Sequence, residues 1–99
     1  MEVEGTIFLM LPRLAYGNEG KEKQGYVLLT EGNNPHYFYF EIADGKSGNL
    51  ARYNIQQGKK YKVLFDIRAS EWKGKWYNHV NVSDVREVFE ADGTQKQAQ

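Results

Sequence analysis

From Tyr61 to Asp84 the chain reads YKVLFDIRASEWKGKWYNHVNVSD, two alternating runs on either side of Lys73-Gly74. Tyr61, Val63, Phe65 and Ile67 are apolar at every second position, the period that puts side chains on one face of a strand. Lys60, Lys62, Asp66 and Arg68 then point the other way. A two-residue turn at Lys73-Gly74 sets Trp72 opposite Lys75, Ile67 opposite Val80 and Phe65 opposite Val82. Apolar meets apolar along that register, and a slip of one residue would send every side chain to the wrong face. Turn and pattern agree on one hairpin, and the rest of the chain is arranged around it. The register also sorts the aromatic residues. Trp76, opposite Glu71, joins the core-facing set, and with Phe38, Phe40 and Phe65 it is expected to be buried. Trp72, Tyr77 and His79 share the outer face with Ser70 and Arg68.

Upstream, Val3, Gly5, Ile7, Leu9 and Leu11 alternate with Glu2, Glu4, Thr6, Phe8 and Met10, a long first strand whose second face turns apolar late and which Pro12 closes. Arg13 to Gln24 is rich in glycine and charge and has no period, so a mobile loop is expected there. A second strand is expected from Gly25 to Thr30 and a turn at Asn33-Asn34-Pro35. The third strand, His36 to Ile42, has Phe38, Phe40 and Ile42 on one face and Tyr37, Tyr39 and Glu41 on the other. From Asp44 to Gly58 the alternation stops, and Asn49 is placed to cap a short helix that carries Leu50 and Tyr53 and ends at Gly58. Three strands, a short helix and two more strands make the chain plan of the OB-fold, a five-stranded, partly open Greek-key barrel. A five-stranded SH3-like barrel is the competing plan, and the helix position and the long loop after the first strand favour the OB-fold. One domain is expected over residues 1–90, followed by a polar tail, 91–99, that has no apolar period and is expected to be disordered.

At 99 residues the chain can bury one core without disulfides. It has no cysteine, which excludes a disulfide scaffold, a thiolate zinc site and a cysteine nucleophile. No apolar run reaches the roughly 20 residues of a membrane span. The opening MEVEG lacks the basic and apolar regions of a signal peptide, so the chain is expected in the cytoplasm, with no membrane partner. The match of Asn81-Val82-Ser83 to a glycosylation sequon has no weight there. Thirteen basic residues balance thirteen acidic ones, but unevenly along the chain. Lys59, Lys60, Lys62, Arg68, Lys73 and Lys75 outnumber Asp66 and Glu71, whereas Asp84, Glu87, Glu90 and Asp92 outnumber Arg86. Local patches govern binding in grooves, so net neutrality leaves a basic site in place.

Signatures of catalysis are missing. Gly45-Lys46-Ser47 matches the end of a phosphate-binding loop, but the glycine required five residues earlier is Phe40. His36 and His79 have no ligand-like spacing, and no nucleophile is paired with a base, so neither an enzyme nor a metal nor a cofactor is expected. The positive signal is the interleaving of rings with cations. Unstacked bases of a single strand lie on aromatic rings for about 1–3 kcal/mol each, while Lys and Arg neutralise the phosphates between. Outward parity names Tyr37, Tyr39, Trp72 and Tyr77. The first loop contributes Arg13, Tyr16, Lys21 and Lys23, and the hairpin Arg68, Lys73 and Lys75, because an OB-fold brings both to the rim of its second and third strands. Binding of single-stranded DNA is the leading expectation, a reading that does not exclude RNA. The other is a module for protein interaction or homo-oligomerisation, which net neutrality favours and in which the tyrosines form a partner surface.

Four stretches also carry a likeness: the opening MEVEG-T-I, the run F-x-F-E-I of the third strand, G-K-K-Y-x-V-x-F-D-I leading into the fourth, and the turn E-W-K-G-K-W-Y-N. They resemble a family of short bacterial and phage proteins classed as a domain of unknown function and regarded as OB-fold relatives of single-stranded DNA-binding proteins. The likeness covers about residues 1–88 and is most specific from Phe65 to Asn78. It implies an OB-fold and a non-catalytic role with single-stranded DNA in replication or recombination of a bacterium or its phage. At Ala43 and Ser83, where the resemblance implies tryptophan, this chain has none, so no base stacking is expected at either. Nor does the tail resemble the acidic, phenylalanine-ended tail by which bacterial single-strand binders recruit replication enzymes.

Overall fold

The computed structural model describes residues 1–89, and the tail expected over 91–99 lies outside them. The strands are β1 (Glu2–Met10), β2 (Leu14–Tyr16), β3 (Lys21–Thr30), β4 (Tyr37–Ala43), β5 (Lys60–Trp72) and β6 (Lys75–Glu87). Between β4 and β5 lie a 3-10 turn at Gly45–Ser47 and the helix α1 (Asn49–Tyr53). Every ladder is antiparallel, in the order β2-β3-β1-β5-β6, with β4 on the other edge of β3. The molecule is therefore mostly β, an open six-stranded sheet with one small helix. Among the described residues β4 and β6 exchange no ladder.

The core follows from the alternation. Ile7 of β1, Tyr26 and Leu28 of β3, Phe40 and Ile42 of β4, Tyr61 and Val63 of β5, and Val85 of β6 are buried in one cluster. Leu50 of α1 and Ile55 after it close the end of that interior. Each such side chain contributes about 1.5–3 kcal/mol by leaving water. A run of rings crosses the interior: Tyr26 to Phe40 at 5.2 Å, Phe40 to Phe38 at 5.9 Å, and Phe38 to Phe65 at 4.9 Å between centroids. Thus β4 packs through its inward rings against β5. Two polar side chains inside the sheet are matched: Tyr26 donates its O–H to Gln24 Oε1 at 3.0 Å, and Gln24 Nε2 donates to the Leu11 carbonyl at 2.8 Å, whereas Asn49 Oδ1 of α1 is buried with no partner among the described residues.

Two bulges adjust the alternation. In β1, Ile7 faces Leu28 and Leu9 faces Val27, so Phe8 is an extra residue. This accounts for the apolar run at the end of the strand, because Ile7 and Met10 pack inward while Phe8 and Leu9 are exposed. In β6, Leu64↔Asp84 is followed by Phe65↔Val82, leaving Ser83 as the extra residue. Val82 and Val85, three apart in sequence, thereby both reach the interior. Between the bulges β1 presses close to β3 at Gly5, where an added Cβ would collide with the Leu29 carbonyl and lie 2.6 Å from Leu28 Cδ2.

Three expectations are corrected. Arg13 to Gln24 is not a loop but largely a hairpin: Leu14, Ala15 and Tyr16 pair with Lys23, Glu22 and Lys21, so β3 begins four residues before Gly25. Pro12 has no N–H to donate, and it interrupts the ladder that Leu11 N→Gly25 O (3.0 Å) ends and Leu14 resumes. The strand count is consequently six rather than five. The short helix forms at Asn49, but Asn54, at φ 48°, ends it, whereas Gly58 donates its N–H to the Ile7 carbonyl beside β1. Its first turn is held by the Asp44 carboxylate, which accepts from Leu50 N at 3.2 Å.

Candidate functional site

β1 accompanies β5 only from Thr6↔Lys60 to Glu2↔Leu64. Beyond the bond from Phe65 N to the Met1 carbonyl (2.8 Å), β5 and β6, among the described residues, form ladders only with each other. The pairs from Asp66↔Asn81 to Trp72↔Lys75 form a two-stranded ribbon about 20 Å long. The molecule measures 53 × 33 × 20 Å. Lys73 and Gly74 at the tip both have positive φ, 52° and 80°, the signature of a type I′ turn whose twist matches that of the strands it joins. The register is the one the sequence implies. Burial is not: Trp76 is 72% exposed, against the expectation that it is in the core. Parity sets which face a side chain takes, but burial needs something packed on that face, and beyond Val80, which packs at the edge of the core, none of the described residues covers it. The tip therefore carries an exposed indole on each face, Trp72 on one and Trp76 on the other.

The charges of β5 divide the same way. Near the body, Lys60 lies 3.6 Å from Glu4 and 2.7 Å from Glu31, Lys62 3.5 Å from Glu2, and Lys59 3.8 Å from Glu87. On the ribbon, Arg68 lies 3.3 Å from Asp66. Among the described residues Lys73 and Lys75 form no ion pair, and Lys73 Nζ sits 5.3 Å from the centre of the Trp72 ring. The basic excess read along β5 is thus neutralised at its root and free at its tip. Tyr77, 46% exposed, lies on the Trp72 face, where Ser70 Oγ and His79 Nε2 are 2.7 Å apart.

Tyr37 and Tyr39 project from the outer face of β4. The Tyr37 ring rests 5.2 Å from that of Phe8, the bulged residue of β1. Tyr39 lies across Gly25 of β3, where an added Cβ would be 2.5 Å from its hydroxyl oxygen. The missing side chain lets the ring lie on the sheet with its other face open, at 48% exposure. Its hydroxyl donates to Glu41 Oε2 at 2.9 Å. Burial of that hydroxyl end, then the Glu41 hydrogen bond and charge, hold the phenol above its ordinary value of 10.0. Between the β4 and β6 edges is a groove of about 290 Å³ lined by Tyr39, Phe40, Glu41, Asn78, His79 and Val80.

The structure therefore gathers Arg68, Trp72, Lys73, Lys75 and Tyr77 on the ribbon, and sets Tyr39 across a groove from the ribbon's root. Arg13, Tyr16 and Lys21 lie apart from these, on the β2–β3 hairpin, where Arg13 is 3.6 Å from Glu22 and Lys21 3.7 Å from Glu19. The Tyr16 hydroxyl accepts from Gly45 N at 3.1 Å, which ties that hairpin to the turn after β4. Lys23 pairs in register with Ala43 and, among the described residues, forms no ion pair. The sequence reading missed Trp76 as an exposed ring, and it missed Glu41, Asn78 and His79 as groove residues. Among the described residues no cluster of three or more His, Asp or Glu is placed to hold a metal ion. No helix among them is long and apolar enough to cross a membrane.

Fold and site together define a small antiparallel β domain with an aromatic, basic ribbon standing off its sheet. The family described as "Domain of unknown function (DUF3127)" matches residues 2–86, from the first residue of β1 to one short of the end of β6, and the chain belongs to it. No curated protein and no solved structure matches.

Proposed function

We propose that this is an OB-type, non-catalytic domain that binds single-stranded DNA with little regard to sequence and serves replication or recombination in the cytoplasm of a bacterium or of a phage's host. The observation that carries the reading is the ribbon tip, where Trp72 and Trp76 are both exposed beside Lys73 and Lys75. Rings without a packing partner and cations without a carboxylate partner are what a strand of stacked bases and phosphates complements. Sheet order supports the OB plan: apart from the short β2, the ladder path β4-β3-β1-β5-β6 leaves β4 and β6 as the two edges, the strands that in that plan form the lips of a partly open barrel. The outer face of β3 and β4 and the last hairpin are the surfaces such a fold uses. The specific observation favouring a protein partner instead is the exposed Phe8–Tyr37 pair, two rings that pack on each other at 5.2 Å.

Titrating the tryptophan fluorescence with a dT oligonucleotide at low and at moderate salt tests the proposal. Quenching is expected, with an affinity that weakens as salt rises because phosphate contacts release counterions. An unchanged emission and no retained oligonucleotide at low salt would reject it, and sedimentation of the free protein would then show whether the tyrosine face self-associates.

A further inference from the structure

At the groove between β4 and β6 the sheet has two edges that face one another and, among the described residues, are unpaired. Thr30 N donates to His36 O and Asp44 N to Glu22 O, so the even-numbered residues of β4 turn their N–H and C=O groups to β3. Tyr39 and Glu41 turn theirs outward, toward β6. In β6 a two-residue turn makes Trp72↔Lys75 a hydrogen-bonded pair and every second pair after it likewise, so Asn78 and Val80 turn theirs toward β4. The bonds Phe65 N→Met1 O and, across the bulge, Val88 N→Lys60 O have the same phase. Some Cα atoms of β4 and β6 lie within 8 Å of each other. A strand needs about 4.7–4.9 Å on each side, so a third strand does not fit where the edges approach this closely, whereas the groove, at about 290 Å³, leaves room for a flat ring.

The polar groups at this groove are selective in kind. The Glu41 carboxylate stands beside Tyr39, one oxygen engaged by the phenol and the other open. Its charge disfavours a phosphate here and favours a ligand presenting N–H groups. Tyr39 offers a ring face beside it, and Asn78 and His79 complete the far wall.

We propose that this groove takes one unstacked nucleobase and that Glu41 makes guanine the preferred one, giving an otherwise sequence-tolerant binder a single position that reads identity. The inference rests on the single-strand reading above. Of the four DNA bases only guanine presents two neighbouring donors, N1–H and N2–H, that meet both oxygens of one carboxylate. Adenine and cytosine present one exocyclic amine, and the N3–H of thymine lies between two carbonyl oxygens that repel the carboxylate.

The test uses dT oligonucleotides of about 15 nucleotides, within the span one OB-fold covers, carrying dT, dG or deoxyinosine at one central position. Affinities are read by fluorescence anisotropy at one low salt concentration. Wild-type protein is expected to bind the dG oligonucleotide about five- to tenfold tighter than all-dT, the lower end of the discrimination one bidentate base contact supplies. Deoxyinosine, which lacks the 2-amino group, should lose most of that preference. In Glu41→Gln the dG-to-dT ratio should fall to near one, and because it is a ratio within one variant, a general loss of affinity does not move it. Equal binding of dG and dT oligonucleotides by wild type overturns the inference and leaves the single-strand reading intact, as does a Glu41→Gln protein that keeps the ratio. Failure of every oligonucleotide to bind overturns both.

Discussion

β5 and β6 are each two things in one strand. From Tyr61 to Leu64 and from Asp84 to Glu87 they lie in the body, where β1 covers β5 and Val63 is wholly buried. From Asp66 to Asn81, past the one-residue register shift at the Ser83 bulge, they run on with β5 keeping its alternation, and Ile67, Trp72, Trp76 and Tyr77 are all about half exposed or more. The residue types hardly differ between the halves. What differs is whether a third element lies on the inward face, so hydrophobic character at the root of the hairpin stabilises the fold, whereas at its tip it is free for a ligand. A two-stranded ribbon alone is only marginally stable in water, so the tip depends on the root for its shape.

The largest test of that division compares two aromatic truncations. Phe40→Ala, in the interior ring stack, should cost about 3–5 kcal/mol, and Trp76→Ala only about 0.5 kcal/mol or less, as a surface change, both read by urea denaturation. Equal losses would show that the ribbon is part of the core after all.

Two glycines sharpen the contrast next. Gly5→Ala puts a methyl group against the β3 backbone and should destabilise by about 1–3 kcal/mol. Gly25→Ala meets chiefly the end of the Tyr39 side chain, which can move aside, so its main effect should be weaker oligonucleotide binding in a protein that melts nearly normally. A Gly25→Ala protein with undiminished affinity would remove Tyr39 from the interface.

On the ribbon itself the rings and cations should fail differently. Trp72→Ala or Trp76→Ala should weaken binding by about 1–3 kcal/mol with the salt dependence nearly unchanged. The smallest effect is at the turn. Lys73→Asn keeps a residue that tolerates positive φ and removes one charge, so affinity should fall slightly while the slope against log salt becomes shallower by about one unit or less. A larger loss, with a less ordered ribbon by hydrogen exchange, would assign Lys73 a structural part in the turn.

What was legible in the sequence is what alternation and turn chemistry encode. The pairing of Phe65 with Val82 and Ile67 with Val80 follows from Lys73-Gly74 and the apolar period, and the structure has it. The exposure of Trp76 was not legible, because a strand's own pattern does not say where its neighbour ends. β2 escaped because three residues are too few to show a period and Pro12 hides the continuity of its ladder with β1. Phe8 and Ser83 are single-residue bulges, visible only as a late apolar run in β1 and a three-residue step from Val82 to Val85. As for the candidate site, the outward parity of Tyr39 and the cations of the turn could be read. The groove could not, since two strand edges that do not pair leave no mark in either strand.

Because the ribbon beyond Ile67↔Val80 is exposed and none of the described residues packs on its inward face there, the length of that outer part is a quantity that folding does not regulate. Two residues added to each strand would keep every side chain on its face and carry the turn about 7 Å further out, while one added to each would exchange the faces of Trp72 and Trp76. The reach of the molecule thus comes in steps of two residues, and a chain can change how far it extends along a partner without altering a single contact of Val63 or Phe40.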